Sequence, residues 1–137
     1  MPRHPFSPAL VKVDVVTTYL PSHSSAEDSQ YTFAYTITIS NESDLPVQLM
    51  SRHWIITDAN SEVQEAQGEG VIGEQPVIQP QDSFRYTSGA TLATPLGYME
   101  GSYFMVVREP MDIDPHQLPT FEVPIRAFSL HTPTALN

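Results

Sequence analysis

The stretch SRHWIITDANSEVQEAQGEGVIGEQPVIQP, Ser51–Pro80, decides the fold. It opens on Trp54-Ile55-Ile56-Thr57, aromatic and β-branched residues that suit a pleated, half-buried strand. Asp58-Ala59-Asn60-Ser61 then turns the chain, because short polar side chains hydrogen-bond their own backbone. Glu62 to Gln67 reads as a short polar return strand, and Gly68 to Pro80 as a loop of glycines then prolines, with Val77-Ile78 as a brief strand inside it. Extended back to Val47, the first strand has two partly apolar faces. One carries Val47, Leu49, Ser51, His53 and Ile55; the other carries Gln48, Met50, Arg52, Trp54 and Ile56. Such a strand belongs inside a sheet. Trp54, the sole tryptophan, is expected in the core with Met50 and Ile56.

Outward from this segment the period stays at two. Tyr31, Phe33, Tyr35, Ile37 and Ile39 alternate with small polar residues, and Val11, Val13 and Val15 alternate with Lys12 and Asp14. Asn41-Glu42-Ser43-Asp44 predicts a turn. On the other side, Ser83 to Ser88 is a strand, Gly89 to Gly97 a loop, and Tyr98 to Arg108 a run apolar on both faces and hence central in a sheet. Phe121, Val123, Ile125 and Ala127 alternate with Glu122, Pro124 and Arg126 in the last strand. Pro124 cannot donate to a ladder, which requires a free edge or a bulge there. No segment keeps a 3.6-residue period for three turns. The expected fold is all-β: an immunoglobulin/fibronectin type III-like antiparallel β-sandwich of seven to eight strands, its tryptophan unsupported by a disulfide. One domain over residues 10–130 is expected, between a flexible N-terminal arm, residues 1–9, and a C-terminal tail, residues 131–137.

With 137 residues the chain suits one domain with a self-sufficient core. There is no cysteine, which excludes disulfides, thiol chemistry and cysteine-based zinc sites. The formal charge is −10 with six Lys and Arg residues, too few for a basic nucleic-acid footprint or for attraction to anionic lipid. The opening residues MPRHPFSPAL lack the apolar run of a signal peptide, and no window approaches the ~20 apolar residues of a membrane span. These features predict a cytoplasmic protein without nucleic-acid or membrane partners, as a monomer or weak homo-oligomer. From Asp58 to Asp82 there are six acids and no base, a surface suited to a basic protein partner.

Gly68-Glu69-Gly70-Val71-Ile72-Gly73 has the spacing of a dinucleotide fingerprint, so Gly68, Gly70 and Gly73 are candidate pyrophosphate contacts. A fingerprint needs a helix N-terminus to hold the phosphates. Pro76 and Pro80 prevent a helix, and Glu69 and Glu74 would repel a polyanion. The loop reading is preferred, with Glu69, Val71, Ile72 and Glu74 as the partner-binding surface. Glu109, Asp112, Asp114 and His116 form the best hard-cation candidate, although the spacing matches no EF-hand. Ser51 and His53 share a strand face without a nucleophile elbow, so no catalytic set emerges, no enzyme is predicted and no cofactor is assigned. Two classes stand: a protein-interaction module, and a small-ligand binder for a divalent cation or a nucleotide at the acidic or glycine-rich loops.

Four motifs taken together resemble the ApaG family in order and spacing. They are Arg52-His53-Trp54-Ile55-Ile56-Thr57-Asp58, Gly68 to Pro76, Tyr86-Thr87-Ser88-Gly89, and Gly97 to Tyr103; Phe121 to Leu130 is similar to the family's final strand. The resemblance implies a fibronectin type III-like sandwich in a bacterial cytosolic protein, and an association with divalent-cation (cobalt and magnesium) tolerance. It also implies protein binding, because similar domains occur in eukaryotic F-box proteins and in a polymerase-delta-interacting protein. It brings no catalytic residues. Its glycine segment is described as a pyrophosphate motif, against which the helix argument stands. Gln81 and Ser61 stand where the family usually has Gly, and Arg126 where it often has Pro.

Overall fold

Phe33, Tyr35, Ile37 and Ile39 point into the core while the threonines between them face outward, as the two-residue period requires. The computed structural model describes residues 5–135. Its strands are β1 (Val11–Tyr19), β2 (Tyr31–Asn41), β3 (Val47–Asp58), β4 (Val63–Glu69), β5 (Val77–Ile78), β6 (Ser83–Leu92), β7 (Leu96–Val107) and β8 (Phe121–His131). One sheet has the order β1-β2-β6 and the other β4-β3-β7-β8, with β5 also paired to β3. Every pairing is antiparallel. Helix among the described residues is limited to single 3-10 turns, each opened by a proline. The two sheets pack face to face as a sandwich, and β3 and β7 lie inside their sheet as the doubly apolar sequences require.

Two bulges set which residues reach the core. The register of β3 against β7 slips between Leu49 and Ser51, so Met50 is an extra residue and the inward side changes phase. Val47 and Leu49 are buried before it; Trp54 is buried after it. Trp54 meets Tyr35, Tyr103 and Phe128 edge-on, with ring centroids 5.6, 6.2 and 5.9 Å away. In β8 the slip places Arg126 and Ala127 together opposite Glu100. Val123 and Ile125 are buried on one side of the slip and Leu130 on the other, while Ala127 is exposed. The alternation read from sequence carried Ala127 into the core, and the bulge reverses it. Pro124 lies on this edge strand, where its missing N–H costs nothing.

The expected loop Gly89 to Gly97 is mostly strand. β6 runs on to Leu92 and β7 starts at Leu96, leaving a three-residue turn. Gly89 and Ala90 are poor strand formers alone, but they pair with Ala34 and Phe33 of β2, and Thr32–Thr91 and Thr36–Thr87 hydroxyl bonds hold the register. The Asn41 turn forms as expected: its side chain accepts from Ser43 N and donates to the carbonyls of Leu45 and Ile78. At the N-terminal end, Phe6 packs edge-on against Phe121 at 4.9 Å and Pro8–Leu10 form a 3-10 turn. The arm expected over residues 1–9 is therefore docked from Phe6 onward; residues 1–4 lie outside the described chain, as do 136 and 137 of the tail.

Candidate functional site

The glycine segment folds as a tight hairpin on the end of β4. Gly68 still belongs to β4, opposite Arg52. The Gly70 N–H donates to Met50 O at 2.9 Å, and Val71 and Glu74 exchange two N–H···O bonds of 2.8 Å. Between them Ile72 (φ +43°) and Gly73 (φ +79°) both have positive φ, the signature of a type I′ turn. Gly70 (φ +63°) admits no side chain, since a Cβ would sit 2.1 Å from Glu74 O. The glycines thus serve turn geometry. The N–H groups of Val71 and Glu74 are spent within the hairpin and that of Gly70 on β3. From there the chain runs into Pro76 and β5, with no helix terminus to face a pyrophosphate.

Of the four residues expected on the docking surface, Glu69, Ile72 and Glu74 are exposed and Val71 is not. Val71 is 1% exposed and belongs to the core. The hairpin sends its first residue inward and its tip outward, a reversal that hydropathy alone does not reveal. Ile72 is 57% exposed at that tip. A β-branched residue at positive φ is a conformational outlier that carries backbone strain.

Behind the hairpin, Arg52 holds its base. Its Nη1 donates to Gly70 O at 2.7 Å and to Glu69 O at 3.2 Å. A cleft of about 280 Å³ opens between the hairpin and β6, lined by Arg52 and Trp54 of β3, Tyr86 and Ser88 of β6, and Ile72 and Gly73 of the hairpin. Below it the hydroxyls of Tyr86 and Tyr103 are hydrogen-bonded. Burial pushes the Tyr86 phenol up to about 12 and raises that of Tyr103 further, so both stay protonated at neutral pH. Neither is poised as a general base there. Sequence reading missed the work of Arg52. The available signal was a guanidinium placed next but one to the core tryptophan, on a face otherwise largely apolar.

The proposed cation ligands do not converge. Asp114 accepts from the backbone N–H of His116 at 3.0 Å and from its ring at 3.1 Å. The backbone bond, then the ring bond, hold the Asp114 carboxyl below its usual range. Among the described residues no three His, Asp or Glu side chains come together as a metal site, so Glu109 and Asp112 do not complete the set. The loop is instead organised by the buried guanidinium of Arg108, which donates to the carbonyls of Met111 and Ile113. That fixed positive charge opposes a dication beside it. On the outer face of the larger sheet, His53 Nε2 lies 3.8 Å from the Glu65 carboxylate, and Ser102 donates to Glu122. The Ser102 hydroxyl is thus tied to a carboxylate.

The ApaG domain family matches residues 21–107, from the loop before β2 to the end of β7. The chain belongs to the ApaG family. Protein ApaG of Ralstonia nicotianae is 51% identical over 125 residues, covering 91% of this chain and 94% of that protein. Protein ApaG of Methylococcus capsulatus is 46% identical over 137 residues, with both chains covered completely. A crystal structure of an ApaA protein from Bordetella pertussis superimposes with a TM-score of 0.84 at 42% identity, covering 98% of this chain and 100% of that one. The stretch matched to ApaG contains β3, β4, the hairpin and Arg52, so the candidate site lies wholly within the family's domain.

Proposed function

We propose that this ApaG chain is a non-catalytic protein-binding module that docks a basic partner on the flank formed by β4 and the glycine hairpin. The strained and exposed Ile72 carries the reading. An apolar β-branched side chain held outward at positive φ, against its own backbone preference, is explained by contact with a partner surface. Glu69 and Glu74 flank it and are exposed, which supports a partner of opposite charge and an association that salt weakens. The strand order, β1-β2-β6 against β4-β3-β7-β8, supports the fibronectin type III-like variant of the sandwich. The cysteine-free composition supports action in a reducing cytoplasm. Cation tolerance, implied by the family resemblance, is read as an effect exerted through the partner.

The test is site-specific photo-crosslinking in growing cells. A photoreactive residue at position 72 should trap one protein, and the same residue at Val16, exposed on the other sheet, should not. Equal trapping at both positions, or none at 72, overturns the reading.

A further inference from the structure

The hydrogen-bond alternation along β4 can be read from its two ends. Asp58 N donates to Glu62 O at 3.0 Å and Gly70 N donates to Met50 O at 2.9 Å. Both pairs lie on the same register line as Arg52–Gly68, Trp54–Ala66 and Ile56–Gln64. In an antiparallel ladder the bonded pairs alternate, so Gln64, Ala66 and Gly68 turn their N–H and C=O groups toward β3. Val63, Glu65 and Gln67 therefore turn theirs away from it. Among the described residues no strand pairs with that outer side.

The other edges are guarded. β8 carries Pro124 and a bulge, β1 packs beside β8, and β6 faces the hairpin across the cleft. β4 has no proline, lysine or bulge over its seven residues. Its outer-face side chains are Val63, Glu65, Gln67 and Glu69; its other side presents Gln64, Ala66 and Gly68, small toward the hairpin. The strand's own charge is one-signed, with no base from Asp58 to Asp82, and at its hairpin end the Arg52 guanidinium lies against Gly68 and donates to the carbonyls of Glu69 and Gly70.

We propose that the partner adds an extended segment to β4 as a further antiparallel or parallel strand of the larger sheet. Its alternate residues are Lys or Arg against Glu65 and Glu69, and the residues between are small and apolar against Ala66, short of the Arg52 guanidinium that covers Gly68. This rests on the docking reading above and specifies its mode. Backbone pairing supplies register-independent affinity and the alternating side chains supply selectivity. A second copy of this chain is a poorer occupant, because it brings the same acids to the same edge.

The experiment uses the full chain and a capped eight-residue peptide that alternates lysine with valine and threonine. Amide hydrogen exchange followed by NMR should slow at least tenfold at Glu65 and Gln67, with little change at Gln64 and Ala66, which β3 already protects. Gln67→Pro removes one outward N–H and leaves the ladder to β3 intact. It should fold with an unchanged melting temperature and lose the peptide. Glu65→Gln with Glu69→Gln should weaken binding several-fold and flatten its salt dependence. Uniform or absent protection, or undiminished binding to folded Gln67→Pro, overturns strand addition. So does a dimer in sedimentation whose free protein already shows the period-two protection. Crosslinking at position 72 that persists when strand addition fails leaves the docking module standing; period-two protection without crosslinking at 72 removes the hairpin and keeps the edge.

Discussion

The hydroxyls of Tyr86 on β6 and Tyr103 on β7 hydrogen-bond to each other inside the sandwich, a polar link between its two sheets. Burial is the main reason both phenols resist ionisation: Tyr86 is pushed from 10.0 up to about 12, and Tyr103 moves further in the same direction. The unfolded chain releases these protons near pH 10, so the folded state binds more of them above that pH. The pair's contribution is complete below about pH 10 and is lost as pH rises through the folded values, at up to about 1.4 kcal/mol per pH unit for each proton. Urea unfolding between pH 9 and 11.5 should show this decline. In Tyr103→Phe it should be shallower, with a loss of about 1–2 kcal/mol at neutral pH from the stranded Tyr86 hydroxyl. Parallel declines would refute the assignment.

Trp54 is 2% exposed and is ringed by Tyr35, Tyr103 and Phe128. Trp54→Ala should cost about 3–5 kcal/mol, the usual range for removing a large core aromatic. Native emission should be blue-shifted and resist iodide; full quenching would contradict the burial.

Neighbouring hairpin positions should respond in opposite ways. Val71→Asp buries an unpaired carboxylate at a site 1% exposed, and should cost several kcal/mol or abolish folding. Ile72→Asn keeps a residue tolerant of positive φ at an exposed tip, and should leave stability unchanged or raise it by roughly 0.5 kcal/mol. Denaturant midpoints decide it, and equal midpoints for the two variants would show that the hairpin is not seated as described.

Ser61 (φ +64°) and Gln81 (φ +63°) occupy left-handed backbone, the region that favours glycine. Ser61→Gly should stabilise by roughly 0.5–1 kcal/mol, because relief of the left-handed strain exceeds the entropy that glycine adds to the unfolded chain. Gln81→Gly should gain nothing, since Gln81 Nε2 donates to the carbonyls of Glu42 and Ser43 and those bonds would go. Thermal unfolding of the two variants tests the difference; a gain for Gln81→Gly equal to that of Ser61→Gly would count those bonds as worthless.

What the sequence by itself determined is the strand class, the order of turns and the central places of β3 and β7. These depend on local properties: a period of two, β-branched side chains, and turn residues that bond their own backbone. The Pro124 edge was legible for the same reason, since a missing N–H is a property of one residue. The tertiary structure decided the inward phase after each bulge, which exposed Ala127 and turned Arg52 toward the hairpin. It also decided that Val71 is core while Ile72 is surface, and that the acids of the Glu109–His116 loop do not meet. A bulge is a mismatch between two strands, and a side chain's exposure depends on what packs over it. Both are relations between distant segments, and no window of adjacent residues contains them.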